Sequence, residues 1–434
     1  MPICSLCASA QIISPPATKS KDKKMDYGLI GEKLGHSYSK EIHGYLADYD
    51  YSLTEVARDN FDTFAKAREF KAINVTIPYK ETIIPYLSYI DEGARLIGAV
   101  NTVVNRSGEL YGYNTDFFGL SSLVKKIGVN LSGLKVAILG TGGTSKTARA
   151  VAQSLGAREI ITVSRNAKEG VVTYSELYEK HSDTEYIINT TPVGMYPKIF
   201  ERPVDVSLFS GLKGVLDAIY NPLRTPLVLS AIEKNIPAEG GLYMLVAQAV
   251  RASEIFLDTK YSEDAISEIY DKIKGRKENI VLIGMPASGK TTVGRLISEK
   301  LSRGLVDTDE LIVSKAGMPI TEIFAKHGEE YFRDLESEAV REAAKQSGVV
   351  IATGGGAVLR KENVNALKEG GRLFFIDRPL EKLVPTSSRP LSSDREAITK
   401  RYNERYSIYC GAADVRIDAD DVPTAVAEKI IKAR

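Results

Sequence analysis

From residue 26 onward, the chain alternates between short apolar runs rich in β-branched residues and longer amphipathic stretches. The apolar runs predict buried strands and the amphipathic stretches predict helices, so the pattern indicates an α/β fold. In the first part of the chain we predict helices at 145–155, 242–257 and 263–273, and strands at 27–30, 51–56, 72–76, 100–104, 135–139, 160–163, 186–189 and 214–217. A further α/β run is predicted from Asn279 to the C-terminus.

Two stretches interrupt this pattern and predict the domain boundaries. Residues 1–24 are rich in Ser, Ala and Pro without periodicity, which indicates a disordered leader or a sequence upstream of a true start at Met25. Cys4 and Cys7 have the spacing of a redox pair, but no predicted strand or helix surrounds them. The second stretch is polar and charged, and we interpret residues 274–278 as a linker between units 25–273 and 279–434.

Composition limits the possible functions. A chain of 434 residues is long enough for two or three domains. Its 57 basic and 56 acidic residues give no charge excess that would favour nucleic acid or a membrane surface. No apolar run approaches the roughly 20 residues of a membrane helix. Three cysteines predict a reducing compartment, the cytoplasm, and four histidines without metal-ligand spacing speak against a zinc enzyme.

The first of two glycine-rich loops, Gly140-Thr-Gly-Gly-Thr144, joins a predicted strand to a predicted helix. It is shorter than the full dinucleotide fingerprint, but its context is typical of a site where a pyrophosphate lies on a helix N-terminus. After the next strand, an NAD site would have a carboxylate for the ribose 2′-hydroxyl. This chain has Ser164-Arg165-Asn166 instead, with Lys168 beyond, which favours NADP because a guanidinium can pair with a 2′-phosphate. The alternative is that Arg165 is a solvated loop residue.

The second glycine-rich loop fits the pattern Gly-x4-Gly-Lys-[Ser/Thr] and also lies between a strand and a helix. In such a loop the backbone N–H groups wrap the phosphates, Lys290 reaches the β- and γ-oxygens, and Thr291 offers a hydroxyl to Mg²⁺. We assign the following residues to ATP: Gly284, Ala287, Ser288, Gly289, Lys290, Thr291 and Thr292. After the next strand, Asp307 and Asp309 are candidates for holding the metal's water shell and for accepting a proton, although Asp309 could simply cap a helix.

A series of polar residues precedes the first loop. Ser37 and Ser39 stand at a predicted helix start, and Thr76 and Lys80 follow a predicted strand. Together with Asn101 and Asp116, these residues can converge on a small polyhydroxylated acid, and a Lys–Asp pair suits proton transfer to a carbonyl oxygen. Taken singly, each has a plainer interpretation as a helix cap or a surface lysine.

In their order along the chain, these motifs resemble the shikimate dehydrogenase family from Met25 to about Ile273. The matching segments are His36-Ser-x-Ser39, Asn74-Val-Thr-x-Pro-x-Lys80, Gly98-Ala-Val-Asn-Thr102, Asn114-Thr-Asp116, Asn189-Thr-Thr-Pro-Val-Gly-Met195, Tyr220-Asn-Pro222 and Met244-Leu-Val-Ala-Gln248. The resemblance implies an α/β substrate subdomain, residues 25–116 and 230–273, and an NADP-binding Rossmann subdomain, residues 117–229.

The same resemblance implies roles for individual residues. Lys80 would donate a proton to the 3-keto oxygen, with Asp116 beside it. The substrate's carboxylate and hydroxyls would be held by Ser37, Ser39, Thr76, Asn101, Asp116, Tyr220 and Gln248. The cofactor would contact Gly140, Gly142, Gly143, Ser164, Arg165, Asn166, Lys168, Thr190, Met195 and Gly240.

From about Asn279 to the C-terminus, the chain resembles the shikimate kinase family. Behind the P-loop come Asp307-Thr-Asp309, Phe332-Arg-x-x-Glu336, Gly354-Gly-Gly356 and Arg389-Pro-Leu391. The resemblance implies a P-loop kinase domain with a five-stranded parallel sheet, helices on both faces and a lid. Shikimate would be bound by Asp309, Arg333, Gly355 and Arg405, with Asp309 near the attacked hydroxyl and Glu336 orienting Arg333. Asp307 and Thr291 would organise Mg²⁺, and Arg389 on the lid would bind ATP and stabilise the transferring phosphoryl group.

The two resemblances converge on shikimate. We therefore predict a bifunctional cytoplasmic enzyme, a monomer or homodimer, that reduces 3-dehydroshikimate with NADPH and phosphorylates shikimate with ATP. Two alternatives stay open: the second unit could be a nucleotide sensor without catalytic activity, and the first could be a quinate-type NAD enzyme. Metabolite channelling is a further hypothesis, motivated only by the fusion of the two units.

Overall fold

The computed structural model of the chain describes residues 25–35, 37–384 and 394–434. The prediction of a disordered leader at 1–24 and the role given to Arg389 lie outside the described residues. Three sheets organise the described chain, two with six strands and one with five. Helices separate most consecutive strands, which confirms the predicted α/β class.

The first sheet is mixed and has the order β2-β1-β3-β5-β6-β4. Its strands are β1 (Tyr27–Gly31), β2 (Tyr51–Glu55), β3 (Ala72–Val75), β4 (Tyr89–Ile90), β5 (Thr102–Arg106) and β6 (Glu109–Tyr113). The helices of this part are α1 (Ser39–His43), α2 (Phe61–Ala67) and α3 (Glu92–Ile97). All four residues of β3 are buried, as expected for a strand covered on both faces of the sheet.

The second sheet is entirely parallel, in the order β12-β11-β10-β7-β8-β9. Its strands are β7 (Lys135–Leu139), β8 (Glu159–Ser164), β9 (Val172–Thr173), β10 (Tyr186–Asn189), β11 (Gly214–Asp217) and β12 (Ala238–Glu239). Its helices are α4 (Asp116–Ile127), α5 (Gly143–Ser154), α6 (Tyr174–Lys180) and α7 (Pro226–Ile232). The strand order reverses at β7, so the first glycine loop opens at a topological switch point, where open α/β sheets bind ligands.

Two helices, α8 (Leu242–Leu257) and α9 (Ala265–Lys277), return the chain to the first sheet. The segment interpreted as a linker is helical instead: residues 274–277 form the last turn of α9, and only Glu278 separates this helix from the next strand. The polar composition that suggested a linker reflects a helix with few buried positions, Ile269, Tyr270 and Ile273.

The third sheet has five parallel strands in the order β14-β15-β13-β16-β17, which confirms the prediction. They are β13 (Asn279–Ile283), β14 (Leu305–Asp307), β15 (Val350–Ala352), β16 (Gly371–Asp377) and β17 (Val415–Asp418). The helices are α10 (Lys290–Leu301), α11 (Thr308–Ala316), α12 (Ile320–Ala344), α13 (Lys361–Gly370), α14 (Arg395–Ala412) and α15 (Pro423–Lys432), with a bend in α12 at Gly328.

Helices cover both faces of the third sheet, so alternate residues of its strands are buried in separate cores. Val281 and Ile283 pack with residues of α12, α13 and α14, whereas Ile280 and Leu282 pack with residues of α10 and α15. This two-residue period is that of a strand buried on both sides. Within the described ranges, none of the helices combines the length and the apolar character that crossing a bilayer requires.

Two candidate active sites

A cavity of about 380 Å³ lies between the first and second sheets. Eight predicted residues of the first unit line it: Ser37, Ser39, Thr76, Lys80, Asn101, Asp116, Tyr220 and Gln248. They come from distant parts of the chain, because the cavity lies where the end of β3 meets the starts of α1 and α4 and the middle of α8. The fold therefore brings the dispersed motifs to one place.

Lys80 and Asp116 form an ion pair at this cavity. The distance from Lys80 Nζ to Asp116 Oδ2 is 2.6 Å, and the two side chains are only 15% and 11% exposed. An ion pair that is shielded from water and hydrogen-bonded in this way is stronger and better oriented than one on the surface. The carboxylate thus holds an ammonium group, a ready proton donor, at the edge of the cavity.

A buried hydrogen-bond network fixes the amides that line the cavity. Asn101 Oδ1 accepts from the Thr115 backbone N–H at 2.7 Å, and Thr115 Oγ1 lies 3.4 Å from Gln248 Oε1. Asn74 Nδ2 donates to the Asn101 carbonyl at 3.2 Å and its Oδ1 accepts from Tyr51 at 2.7 Å. Buried polar groups satisfied in this way hold a single arrangement. Asn74 itself lines the cavity but was given no role from the sequence, although it begins one of the motifs that were recognised.

The first glycine loop adjoins the same cavity. Gly140 has φ +111°, and a Cβ there would lie 2.7 Å from Thr190 Oγ1, so both the turn and its close neighbour require glycine. Gly142 is the N-cap of α5 and Gly143 begins this helix. Thr144, in the first turn of α5, lines the cavity, so the helix N-terminus reaches the space that Lys80 faces.

The remaining cofactor candidates are more exposed. Ser164 ends β8, which pairs with β7, so the exposed residues Arg165, Asn166 and Lys168 follow a strand that lies beside the glycine loop. No carboxylate stands at Ser164–Asn166. Elsewhere in the unit, Met195 is exposed, and Gly240 adjoins Gly241, which lines the cavity.

The second glycine loop forms a phosphate cradle. Gly284 and Gly289 have φ of +149° and +92°, and Ala287 has φ +65°, where glycine would be unstrained. Lys290 is buried, and its Nζ donates to the carbonyls of Gly284 and Met285 at 2.9 Å each. Within the described part of the chain, the buried Ser288 Oγ has no hydrogen-bond partner. This unsatisfied hydroxyl and the turned backbone fit a bound phosphate.

Next to this cradle, the Thr291 hydroxyl donates to Asp307 Oδ2 at 2.7 Å, while Thr292 faces outward. Asp307 Oδ1 accepts from the Asp309 backbone N–H at 2.9 Å, so Asp307 is the N-cap of α11. The interpretation of Asp309 as a helix cap is wrong, because the capping side chain lies two residues earlier. A hydroxyl and a carboxylate together are hard oxygen ligands of the kind Mg²⁺ prefers, so the pair fits this ion.

A second cluster faces the cradle. Arg333 Nη1 donates to Glu336 Oε2 at 2.6 Å, and its Nη2 lies 2.9 Å from Glu329 Oε1. Glu336 is 1% exposed. Burial raises the pKa of Glu336, Arg333 opposes this effect, and the nearby Asp309 carboxylate reinforces it. The two glutamates hold the guanidinium in one orientation, since each takes a different nitrogen.

The glycine triplet allows these side chains to approach one another. A Cβ on Gly356 would lie 1.7 Å from Arg333 Nη1, and one on Gly354 would lie 2.7 Å from Asp309 Oδ1. The Gly355 carbonyl accepts from Arg405 Nη1 at 3.3 Å and from the Tyr409 hydroxyl. The four residues assigned to shikimate, Asp309, Arg333, Gly355 and Arg405, therefore surround one space beside the P-loop.

One residue of this cluster was missed in the sequence. Arg401 lies one turn before Arg405 on α14, and its Nη1 is buried without a hydrogen-bond partner among the residues that the structure describes. Burial lowers the pKa of Arg401, and the nearby Arg405 lowers it further. The available signal was the spacing of two arginines four residues apart, which places them on one face of a helix.

These two sites define the class of the protein. The first unit combines a parallel sheet, a glycine loop at its switch point and a shielded Lys–Asp pair, as in a nicotinamide-dependent oxidoreductase. The second unit combines a P-loop, a Thr–Asp pair and an arginine cluster, as in a phosphotransferase.

Known proteins match each unit separately. The family model for the shikimate dehydrogenase substrate binding domain matches residues 29–103, and the model for shikimate kinase matches residues 286–434. A shikimate dehydrogenase (NADP(+)) of Clostridium perfringens is 36% identical over 268 residues, which cover 58% of this chain and 98% of the relative. A shikimate kinase of Clostridium beijerinckii is 49% identical over 148 residues, 33% of this chain and 87% of the relative.

Among solved structures, a chorismate mutase/shikimate 5-dehydrogenase fusion protein from Clostridium acetobutylicum is 36% identical and has a TM-score of 0.54. The match covers 58% of this chain and 98% of that one. The chain therefore belongs to the shikimate dehydrogenase family in its first unit and to the shikimate kinase family in its second.

Proposed function

We propose that the chain reduces 3-dehydroshikimate to shikimate with NADPH and then transfers the γ-phosphoryl group of ATP to the shikimate 3-hydroxyl, giving shikimate 3-phosphate. The observation that carries this proposal is the gathering of two sets of side chains, one suited to each reaction, in a single chain. Shikimate is the product of the first reaction and the substrate of the second, which supports the proposed direction. The domain division at Glu278 and action as a monomer or homodimer in the cytoplasm are parts of the same proposal.

In the first site, NADPH would supply a hydride to the carbon of the 3-keto group when it is bound. Lys80 Nζ gives its proton to the keto oxygen as that oxygen gains negative charge, and Asp116 keeps the ammonium oriented at 2.6 Å. Ser37 and Ser39 lie at the start of α1 and hold the carboxylate, while Thr76, Asn101, Tyr220 and Gln248 bind the ring substituents. The hydrogen-bonded amides are fixed before the substrate arrives, which lowers the cost of ordering them.

The first unit offers places for the pyrophosphate and for the 2′-phosphate of NADP. Gly140, Gly142 and Gly143 leave space for a pyrophosphate at the N-terminus of α5, and Thr190 packs against the turn. The exposed cation Arg165, with Ser164, Asn166 and Lys168, supports a 2′-phosphate and hence NADP over NAD. Met195 and Gly240 complete the proposed cofactor contacts.

In the second site, Asp309 accepts the proton of the attacked hydroxyl, while Arg333 and Arg405 clamp the substrate carboxylate. Lys290 exchanges its two carbonyl partners for β- and γ-oxygens of the nucleotide. Thr291 and Asp307 would hold Mg²⁺, which would neutralise charge on the phosphates. The proposed role of Arg389 is to stabilise the transferring phosphoryl group.

Two variants test these assignments against each other in the same chain. Lys80→Ala is expected to lower the rate of NADPH oxidation at least about a hundredfold, the usual contribution of a general acid, and to leave ADP release from added shikimate unchanged. Asp309→Asn is expected to do the reverse. Each variant is the folded control for the other. Loss of both activities in either variant, or of neither, would contradict the assigned roles.

A further inference from the structure

The two units meet through an arginine outside both sites. Arg224 lies four residues after Tyr220, and its backbone N–H donates to the carbonyl of Glu369 in α13 at 2.9 Å. Its Nη2 donates to the carbonyl of Gly371, the first residue of β16, and lies 3.3 Å from Glu278 Oε1. The loop that carries Tyr220 is therefore bound to an α13–β16 edge that belongs to the kinase unit.

A second contact reaches the other side of the cavity. The ring of Tyr38 is buried, and the ammonium of Lys277 lies 4.5 Å from its centre. Ser347, just after α12, lines the same small cleft as Tyr38, and its Oγ donates to the Lys277 carbonyl at 3.0 Å. Burial raises the pKa of Tyr38, and a hydrogen bond with Ser347 opposes this rise. Tyr38 and Ser347 of the kinase unit thus line one cleft.

Tyr38 and the Arg224 loop are each close to residues that line the dehydrogenase cavity. Tyr38 stands between Ser37 and Ser39, which line it, and its ring centre lies 5.1 Å from that of Tyr220, which lines it as well. Any shift of the Tyr38 ring or of the Arg224 loop would therefore move groups assigned to the substrate.

Residues of the kinase unit also hydrogen-bond to the C-terminal end of α9, where the chain passes from the first unit to the second. Arg303 Nη1 donates to the Glu278 carbonyl at 2.8 Å, and its Nη2 donates to the carbonyl of Gly275. The backbone N–H of Gly348 donates to the Lys277 carbonyl at 2.8 Å. These donors satisfy the last carbonyls of α9, which helix ends otherwise leave open. The end of α9 is consequently hydrogen-bonded to the kinase unit.

We infer that the kinase unit is a structural part of the dehydrogenase site: docking of Arg224 and Tyr38 onto it positions Ser37, Ser39 and Tyr220 and so sets the affinity for the dehydrogenase substrate. This inference rests on the proposed function, which assigns those three residues to the substrate. Preorganised contacts bind more tightly because less conformational freedom is lost on binding. Arg224 and Ser347 are positioning residues, since neither touches the cavity.

The test uses the full chain with Arg224→Gln, Ser347→Ala and, as a matched control, Lys361→Ala. Lys361 bridges the same interface to Glu233 at 3.0 Å, but both side chains are exposed, so its loss should change nothing. For the other two variants, the KM for shikimate in NADP reduction is expected to rise about five- to tenfold with kcat nearly unchanged. The KM for shikimate in the kinase reaction should stay the same.

If these residues only stabilised the fold, their substitution would lower the fraction of active protein, and hence the apparent kcat, but not change KM. A wild-type KM in a folded variant would therefore overturn the inference. If Arg224→Gln fails to fold, Ser347→Ala decides the question, since it removes one hydroxyl and leaves the backbone contacts. Failure of the wild-type chain to reduce NADP with shikimate would instead contradict the proposed function, and the two failures are thus distinguishable.

Discussion

Glu369, near the C-terminus of α13, makes stability depend on pH in a predictable direction. Its side chain is 2% exposed, and its Oε2 has no hydrogen-bond partner among the described residues. Burial without a partner raises its pKa from 4.5 to about 9. At pH 7 the unfolded chain ionises this carboxyl and the folded chain does not, which costs the folded state about 3 kcal/mol. At pH 5 the same difference is only about 1 kcal/mol.

The sign follows from the raised pKa. The stability associated with neutral Glu369 is complete below pH 4.5, and it is lost progressively as the pH rises toward 9. Glu369→Gln is neutral in both states, so the variant should gain about 2 kcal/mol relative to wild type between pH 5 and pH 7. The change between two pH values is the useful quantity, because any fixed cost of the amide cancels.

Urea unfolding at pH 5 and pH 7, at matched ionic strength, measures this difference. The chain contains no Trp, so far-UV circular dichroism is a suitable signal. Glu362→Gln is the matched control, because Glu362 lies on the same helix and is exposed. Parallel pH dependence of wild type and Glu369→Gln would refute the reasoning. It would mean that Glu369 is ionised in the folded state, for example because it pairs with Arg224. The Nε atom of Arg224 is also buried and has no hydrogen-bond partner among the described residues.

Three further changes address the kinase unit. Ala287→Gly should stabilise the chain by up to about 1 kcal/mol in urea unfolding, because φ +65° strains any residue with a Cβ; a loss of stability would contradict this. Gly356→Ala should abolish phosphoryl transfer while NADPH oxidation persists, because the new methyl would occupy the position of the Arg333 guanidinium; unchanged kinase activity would show that Arg333 is free to move. Arg401→Gln should raise the kinase KM for shikimate about tenfold, as expected for a lost charged contact, whereas the exposed neighbour Lys400→Gln should not; equal effects would exclude a specific role.

Much of the fold was predictable from local pattern. The strands predicted at 135–139, 186–189 and 214–217 and the helix at 242–257 have the bounds that the structure shows, since continuous apolar runs identify buried elements. The strand predicted at 100–104 begins instead at Thr102, and Val100 and Asn101 lie in the irregular segment between α3 and β5. The strands β4, β9 and β12 were missed because two residues carry no periodic signal, and the five-residue strand β6 was missed as well.

The candidate sites were predictable as sets of motifs but not as geometry. Glycine loops can be recognised in a sequence because few residues other than glycine tolerate a positive φ. Gly140 and Gly289 both have a positive φ, so the need for glycine at these positions is explained by the local backbone. Contacts between distant segments leave no local signal. The support of Asn101 by Asn74 and the docking of Arg224 onto β16 both required the structure. The capping role of Asp307 differed from expectation because two acids stood close enough in sequence for either to serve.

We propose that one chain carries out two successive reactions, of which the first forms shikimate and the second phosphorylates it. The most direct test is a coupled assay on purified protein with 3-dehydroshikimate, NADPH, ATP and Mg²⁺, in which NADPH oxidation and ADP formation are followed together and the product is identified by mass. We expect consumption of NADPH and ATP and formation of shikimate 3-phosphate, with ADP formation dependent on NADPH. Accumulation of shikimate without ADP would contradict it and would leave the P-loop unit as a nucleotide-binding module without phosphoryl transfer.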